Sequence, residues 1–262
     1  MIFLEIYMLS VDRINSIKQI LQKNNSVTVA DLAEKFYVSS ETIRRDLQKI
    51  CDEDPMTIKV HGGAYRILPD ADPPYAFREG SRIEEKKRIA MRAFEEIDDG
   101  DYLMLDGSTT TLYLSKLIAA ASLHVTVISN STGIINELIT NENINVIGIG
   151  GRYTDATHSF VGAISLQQLS GLFAVKAFVS CSGIDIDNGI THNSEEEAAI
   201  RRMMLKNSRN RYLLLDGNKF GRCKAHKIID LNTIDKIFTE MDVDAKWDKL
   251  FKANGIELVR CE

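Results

Sequence analysis

The chain has 262 residues, of which 44% are hydrophobic and 26% charged, which is ordinary for a soluble globular protein with a small domain and a larger one. Its formal net charge of -5 argues against a protein that coats nucleic acid over its whole surface, although one small module with a local basic face remains compatible with it. The four cysteines are scattered without a CxxC pair, which disfavours a zinc finger and favours a reduced, cytoplasmic chain.

The sequence predicts neither a membrane-spanning helix nor a signal peptide. No apolar run approaches the ~18 residues that a membrane-spanning helix needs. Residues 1–7 are apolar but short, lack a positive start and contain Glu5, so they make a poor signal peptide. We expect Met8 to be the natural start.

Two helices are predicted first. Apolar residues at helical spacing indicate one helix from about Val11 to Lys23. A second covers residues 28–36, where Thr28 and Asp31 have the spacing of a capping box. Only Tyr37 and Val38 separate it from the next helix, which fits the tight turn of a helix-turn-helix.

The third helix starts after Ser39, a natural N-cap. Ile43, Leu47 and Ile50 form one buried stripe, which leaves the opposite face free. That face carries side chains suited to phosphate oxygens and base edges, namely Ser40, Glu41, Arg44 and Arg45. Residues 57–67 then read as two β-prone runs around a glycine pair, and so as a hairpin "wing" beside a helix-turn-helix.

All four prolines lie between residues 55 and 74. Residues 68–74 hold three of them and cannot continue a helix or a central strand. We therefore predict a winged helix-turn-helix domain at 8–67, a linker at 68–77 and a second domain at 78–262.

The second domain alternates helices with continuous apolar strands, which indicates a mostly parallel sheet covered on both faces. Helices are expected near 84–97, 110–121, 134–139 and 195–206, and a further one around Trp247. Strands are expected at 102–105, 125–128, 146–149, 177–179, 212–215 and 236–238.

Polar motifs follow these strands at their carboxyl ends, where ligands collect in such sheets. Residues 106–111, Asp-Gly-Ser-Thr-Thr-Thr, open a helix, and its free N–H groups and hydroxyls suit a phosphate. A capped strand-to-helix turn is the alternative. Further polar strand ends are Ser129 to Ser131, Gly150 to Arg152, Cys181 to Asp185, and Asp216 to Gly221 with Lys219. Their convergence favours a binding site, whereas the absence of a dinucleotide fingerprint and of a P-loop disfavours NAD and ATP.

These pieces resemble the DeoR family of bacterial transcriptional regulators. In the first domain the resemblance rests on Arg13, on residues 42–47 (Thr-Ile-Arg-Arg-Asp-Leu) and on residues 61–64 (His-Gly-Gly-Ala). In the second domain it rests on Lys86, Gly100-Asp101, residues 106–111, Asn130-Ser131, Gly150-Gly151, Gly183, residues 189–191, Asp216 and Lys219. Arg82 stands where the family often has Asn.

The resemblance implies a winged helix-turn-helix followed by an α/β effector domain similar to ribose-5-phosphate isomerase. It implies a homo-oligomeric repressor of a carbohydrate operon, a dimer or tetramer, whose affinity for double-stranded operator DNA responds to a phosphorylated sugar. The residues expected at DNA are Ser39, Ser40, Thr42, Arg44, Arg45, Lys59, His61 and Arg66.

The resemblance also assigns the effector site. Ser108 to Thr111 would hold phosphate, Lys86 and Lys219 would compensate its charge, and Asp185, Thr191 and Glu195 would line the sugar end. The complete expected set is Lys86, Asp106, Gly107, Ser108, Thr109, Thr110, Thr111, Asn130, Gly151, Gly183, Asp185, Thr191, Glu195 and Lys219.

Two other functions stay open on the sequence alone. The same site could isomerise a sugar phosphate, with Asp185, Asp187 or Glu195 as the base, although an isomerase has no evident use for a DNA-binding module. The second domain could instead serve only assembly, which predicts no small-molecule effect. The five histidines show no paired metal spacing, no nucleophile elbow is present, and no metal or cofactor is expected.

Overall fold

A computed structural model describes residues 9–54, 56–60, 62–66 and 72–262. The expected start at Met8 and the wing residue His61 lie outside these residues. The chain forms two compact units, residues 1–81 and 82–262 (units 1 and 2). Within the described ranges no helix combines the length and the apolar character that crossing a membrane requires.

Unit 1 contains the three expected helices and the expected hairpin. Its elements are α1 (Ser10–Asn24), β1 (Ser26–Thr28), α2 (Val29–Phe36), α3 (Ser40–Glu53), β2 (Thr57–Val60), β3 (Gly63–Arg66) and α4 (Tyr75–Gly80). Strand β1 was not predicted, and it pairs antiparallel with β3 to make a sheet in the order β1-β3-β2. Gly63 allows this pairing, because a Cβ there would lie 2.1 Å from the Val27 carbonyl oxygen.

A buried ion pair crosses the apolar core of unit 1. Ile17, Leu21, Ile43 and Leu47 belong to this core, so α1 and α3 pack against each other. Beside them, Arg13 Nε on α1 donates to Asp46 Oδ2 on α3 at 2.6 Å, and both side chains are almost fully buried. The pair therefore fixes the position of α3 relative to α1.

Part of the segment predicted as a linker is helical. Residues 75–77 lie in α4, which begins directly after Pro74. A proline before a helix does not interrupt it, because the first helical N–H groups have no intrahelical partner in any case. The bounds of the predicted domains otherwise stay a prediction.

Unit 2 is an α/β domain with a seven-stranded parallel sheet in the order β15-β14-β12-β9-β4-β5-β6. Its strands are β4 (Tyr102–Leu105), β5 (Val125–Ser129), β6 (Ile144–Gly148), β7 (Arg152–Thr154), β8 (Ser159–Val161), β9 (Ala174–Val179), β10 (Gly183–Asp185), β11 (Gly189–His192), β12 (Ser208–Leu214), β13 (His226–Ile229), β14 (Lys236–Thr239) and β15 (Glu257–Arg260). Its helices are α5 (Ile83–Phe94), α6 (Thr109–Ala120), α7 (Thr132–Leu138), α8 (Ala163–Ser170), α9 (Glu195–Lys206) and α10 (Ala245–Ala253).

Apolar clusters lie on both faces of this sheet, as the continuous apolar strands predict. Leu103 and Leu105 of β4 belong to one cluster, and Met104 between them belongs to the other. Two small sheets were not predicted: the hairpin β7-β8 and the antiparallel sheet β10-β11-β13. The strands β4, β5 and β9 are neighbours in the sheet, so the polar motifs that follow them lie close together.

Asp46→Ala should lower the free energy of unfolding of unit 1 by about 3–5 kcal/mol, because it leaves the Arg13 guanidinium buried without its counter-charge. Hydrogen exchange of peptides from residues 10–53 of the full chain measures this loss. Glu53→Ala is the control, because it removes an exposed ion pair with Lys18 and should cost less than ~1 kcal/mol. Equal losses in the two variants would contradict the prediction.

Candidate functional site

Helix α3 presents one exposed face beside a firmly capped N-terminus. The Ser39 hydroxyl accepts the N–H of Thr42 at 3.2 Å and lies 2.9 Å from the Thr42 hydroxyl. Thr28 caps α2 in the same way, since it accepts the N–H of Asp31 at 3.0 Å. The exposed side of α3 carries Ser40, Glu41, Arg44, Arg45 and Gln48. The helix therefore offers donors and two cations on a rigid support.

The two arginines of this face are held only weakly. The Glu41 carboxylate lies 3.7 Å from Arg44 Nη1 and 3.6 Å from Arg45 Nε, and all three side chains are mostly exposed. Exposed pairs of this kind contribute ~0–1 kcal/mol. Both guanidinium groups can therefore exchange Glu41 for another anion at small cost.

The wing contacts the exposed face through Lys59. Its Nζ on β2 donates to Gln48 Oε1 on α3 at 2.9 Å. Arg66 pairs with Thr57 at the other end of the hairpin, and its backbone N–H donates to the Asn25 carbonyl. Of the predicted wing residues that are described, the structure brings Lys59 to the helix and leaves Arg66 at the base of the hairpin.

In unit 2, residues 106–108 form the β4-α6 loop, and the cap of α6 uses the hydroxyls of Ser108 and Thr111. Ser108 Oγ accepts the N–H of Thr111 at 3.1 Å, and Thr111 Oγ1 donates to the Asp106 carbonyl at 2.7 Å. Thr109 and Thr110 are buried, and within the described part of the chain their hydroxyls make no hydrogen bond. Together with the unpaired N–H groups of the first helical turn, they provide donors for an anion.

The β4-α6 loop is anchored to α9 by a buried ionic cluster. Arg201, with 2% of its side chain exposed, donates from Nε to Asp106 Oδ2 and from Nη1 to Glu197 Oε2, both at 2.6 Å. Burial opposes the charge of Arg201, but the carboxylates of Asp106 and Glu197 hold the pKa of its guanidinium above the ordinary value. Asp106 also accepts the N–H groups of Ser108 and Ser180. All its oxygens are used within the protein, so Asp106 positions the loop.

The hairpin β7-β8 covers the same loop. A Cβ at Gly107 would lie 1.9 Å from the Ser159 hydroxyl, so the backbone passes directly under β8. Thr157, between β7 and β8, donates its hydroxyl to Glu197. Gly151, which leads into β7, has a φ of 152° and no room for a side chain beside Ser165. The predicted residues Gly107 and Gly151 thus permit close packing of backbone.

Asn130 directly follows β5, and one of its side-chain atoms has no partner among the described residues. The residue is 0% exposed, and its Nδ2 donates to the Phe160 carbonyl at 2.8 Å, which fixes the orientation of the amide. Its Oδ1 is buried and has no hydrogen-bond partner among the described residues. An acceptor of this kind requires a donor, and a phosphate or carboxylate oxygen does not supply one.

Lys219 adds a cation near the end of β9. It lies in a short 3-10 turn after β12, and its ammonium makes no hydrogen bond or ion pair within the described residues. The fully buried Cys181 follows β9; burial raises the pKa of its thiol to about 12, against the opposing charge of Lys219. Phe220, the residue after Lys219, forms an isolated β-bridge with Ile184, so the Lys219 turn lies beside the segment that follows β9.

One carboxylate oxygen joins the Lys219 turn to the beginning of unit 2. Glu240 Oε1 accepts from Arg82 Nη2 at 2.5 Å and from the N–H of Gly217 at 3.0 Å. Arg82 directly precedes α5 and has a left-handed φ of 51°. Arg82 is thus linked to the Lys219 turn through Glu240.

Other predicted effector residues are occupied by local structure. Asp185 Oδ1 accepts the N–H groups of Asp187 and Asn188, and the bonds from Asn188 hold the pKa of the Asp185 carboxyl below its usual value. The Thr191 hydroxyl bonds the Gly183 carbonyl, and Glu195 is half exposed beside Arg202 and His226. A Cβ at Gly183 would lie 2.3 Å from the Arg222 carbonyl oxygen, and Lys86 is buried on α5. Their assignment to an effector stays a prediction.

Sequence reasoning missed Arg201, Glu197 and Thr157. A detectable signal was present for the first two, because both lie four residues apart on the buried side of α9 together with Ala198 and Met204. An arginine within an apolar stripe must have buried counter-charges. Thr157 lies between two three-residue strands and gave no such signal.

Comparison with known proteins is decisive for the family. The DeoR-like helix-turn-helix domain matches residues 13–69, and the DeoR C terminal sensor domain matches residues 81–241. The chain belongs to the DeoR family of transcriptional regulators. The expectation of a winged helix-turn-helix followed by a mostly parallel α/β domain is thereby confirmed.

Relatives of this DeoR-family regulator match it over nearly their full length. The uncharacterized regulator YulB of Bacillus subtilis is 33% identical, over 96% of this chain and 98% of the relative. The lactose phosphotransferase system repressor of Staphylococcus epidermidis is 32% identical, over 91% and 95%. The glycerol-3-phosphate regulon repressor of Escherichia coli is 26% identical, over 97% and 100%.

Solved structures with some similarity to this regulator include an isomerase and a translation factor. Ribose 5-phosphate isomerase A of Methanocaldococcus jannaschii matches with a TM-score of 0.41 and 14% identity, over 53% of this chain and 55% of the other. eIF2B delta of Chaetomium thermophilum matches with a TM-score of 0.44 and 18% identity, over 62% and 57%.

Among the described residues, no group of three or more His, Cys, Asp or Glu side chains could hold a metal ion.

Arg201→Met should lower the free energy of unfolding of unit 2 by about 3–5 kcal/mol, because Asp106 and Glu197 would stay buried side by side without their cation. Trp247, the single tryptophan, lies in this unit, so its fluorescence during urea unfolding measures the loss. Lys206→Met is the control, because Lys206 lies at the end of the same helix and is exposed. A similar, small change in both variants would refute the prediction.

Proposed function

We propose that this transcriptional regulator represses a carbohydrate operon and that a phosphorylated sugar, bound at the strand ends of unit 2, alters its affinity for operator DNA. The observation that carries the proposal is the pairing of donors with one acceptor at neighbouring strand ends. Thr109, Thr110 and Lys219 offer donors, and Asn130 offers an acceptor. A phosphate accepts from the first group and a sugar hydroxyl donates to Asn130.

The donors suit a phosphate because of how α6 begins. Its first N–H groups point into the β4-α6 loop and carry the positive end of the helix dipole. Thr110 places a hydroxyl in the same turn, and Lys219 supplies a compact cation from the neighbouring loop. Together they provide charge and directed hydrogen bonds to one anion.

The acceptor on Asn130 narrows the class of effector. Because Nδ2 is held by Phe160, only Oδ1 is available, and it requires an O–H or N–H donor. A phosphorylated sugar or polyol has both parts, a phosphate and hydroxyl groups. The relatives named for the glycerol-3-phosphate regulon and for the lactose phosphotransferase system control genes of carbohydrate use, which supports this class.

We propose no catalytic role for the site. A sugar-phosphate isomerase needs a carboxylate base directed at the substrate. Of the carboxylates considered from the sequence, Asp185 accepts the N–H groups of its own turn and Glu195 is paired with Arg202 at the surface. The attached DNA-binding unit has a use in regulation and none in isomerisation.

We further propose that two or more copies bind paired half-sites, since one α3 helix contacts too few base pairs for useful specificity. Arg44 and Arg45 would contact bases or phosphates, with Ser40 and Thr42 beside them and Lys59 at the backbone. An effector coupling of ~1–3 kcal/mol would change operator affinity about 5- to 150-fold.

Arg44→Ala should weaken DNA binding by ~1–3 kcal/mol and leave effector binding intact, because Arg44 lies on the exposed face of α3. Fluorescence anisotropy with DNA selected from a random-sequence pool measures the affinity. Arg209→Ala, at an exposed arginine of unit 2, is the matched control. Unchanged DNA affinity in Arg44→Ala would mean that α3 is not the recognition helix.

A panel of phosphorylated sugars and their unphosphorylated parents, screened by thermal melting, tests the effector. A phosphorylated compound at about 100 times its Kd should stabilise the protein by ~2.7 kcal/mol, and its parent should not. Thr110→Val, which removes one hydroxyl at similar volume, should weaken that response, whereas Thr140→Val at an exposed site should not. Silence across the panel would leave residues 106–111 as a capped turn and the second domain as an assembly domain.

A further inference from the structure

Tyr37, in the turn between α2 and α3, has a backbone conformation that disfavours tyrosine. Its φ of 53° and ψ of 42° lie in the left-handed region, where its N–H caps α2 by donating to the Ala33 and Glu34 carbonyls. Glycine, and to a lesser degree asparagine, adopts this conformation readily, whereas a bulky residue such as tyrosine rarely does. Asn25 occupies the matching position after α1.

Among the described residues, the ring of Tyr37 packs against little that could offset the cost of this conformation. The side chain of Tyr37 is 94% exposed, the largest value among the exposed large hydrophobic residues of the described ranges. The next residue, Val38, packs against the core of unit 1, so the turn needs Val38 and does not need the ring of Tyr37. Strained residues of this kind occur at sites that contact a ligand.

Tyr37 lies beside the end of α3 that carries the exposed arginines. It precedes the N-cap Ser39 by two residues, at the end of α3 that carries Ser40, Arg44 and Arg45. In a helix-turn-helix, the N-terminal part of the second helix enters the major groove while the first helix crosses the DNA backbone. With α3 in the major groove, the turn between the two helices would lie at the phosphates that border the groove.

We propose that Tyr37 contacts the DNA backbone, with its phenolic O–H donating to a phosphate oxygen beside the groove that α3 enters. This inference rests on α3 as the recognition helix. Tyrosine is among the side chains that bind phosphate in protein–DNA complexes, and such contacts set the register of the protein on the duplex without reading its sequence. The contact would explain why an exposed, strained position holds tyrosine.

The test needs no knowledge of the operator, because a phosphate contact affects all sequences alike. Tyr37→Phe removes only the O–H, and Tyr37→Asn removes the ring while favouring the left-handed conformation. Tyr153→Phe is the matched control, at an exposed tyrosine of β7 in unit 2. Affinity is measured by anisotropy on a mixed-sequence duplex at several salt concentrations, and stability by thermal melting.

We expect Tyr37→Phe to bind DNA about tenfold more weakly, as for a lost hydrogen bond to a charged group, with an unchanged melting temperature. Tyr37→Asn should lose at least as much affinity while its melting temperature stays equal or rises by a few degrees (~2–8 °C). The slope of log affinity against log salt should stay that of the wild type, because tyrosine is neutral.

Wild-type DNA affinity in Tyr37→Phe would overturn the inference. If Tyr37→Asn binds DNA normally but its mass in solution changes, the ring belongs to a contact between copies of the protein instead. Arg44→Ala separates this failure from a failure of the proposed function. If Arg44→Ala loses affinity and Tyr37→Phe does not, only the tyrosine contact is wrong. If Arg44→Ala also binds normally, the recognition helix is misplaced.

Discussion

Unit 2 depends on one buried cation, the guanidinium of Arg201. Arg201 reaches from α9 to Asp106 at the end of β4, and the Asp106 carboxylate in turn holds the N–H groups of Ser108 and Ser180. Glu197 shares the same guanidinium and accepts from Thr157 of the covering hairpin. A single charge network therefore fixes a strand end, a helix and a hairpin around the loop where an anion would bind.

Unit 1 also contains a buried arginine–carboxylate pair, with one arginine and one carboxylate. Arg13 and Asp46 join α1 to α3 across an apolar core, and the cap at Ser39 sets where α3 begins. In both units a buried arginine–carboxylate pair secures the element that carries exposed or unsatisfied donors. Buried pairs of this kind contribute little net stability compared with apolar packing, but they are costly to break, so they select one arrangement of the helices.

The sequence predicted elements that have strong local signals. Helix α9 begins at Glu195 and ends at Lys206 as expected, because Ser194 caps it and three glutamates favour its first turn. Strand β4 also matched its apolar run. The three-residue strands β1, β7, β8 and β10 escaped notice, since three residues are too few to show a period and are defined by their partners in space. The motif at residues 106–111 was found from its composition, whereas the contact of Arg201 with Asp106 joins residues 95 positions apart.

The carboxylate of Glu240 links Arg82, the first residue of unit 2, to Gly217 in the turn that contains Lys219. Glu240 Oε1 accepts from the N–H of Gly217 and from the guanidinium of Arg82. Gly217 begins the Lys219 turn, and Arg82 is the first residue of unit 2. The other oxygen, Oε2, is buried and has no hydrogen-bond partner among the described residues. There, the carboxylate depends on the contacts of Oε1 alone. The position of the Gly217 turn and the position of the residue before α5 are therefore set by the same acceptor atom.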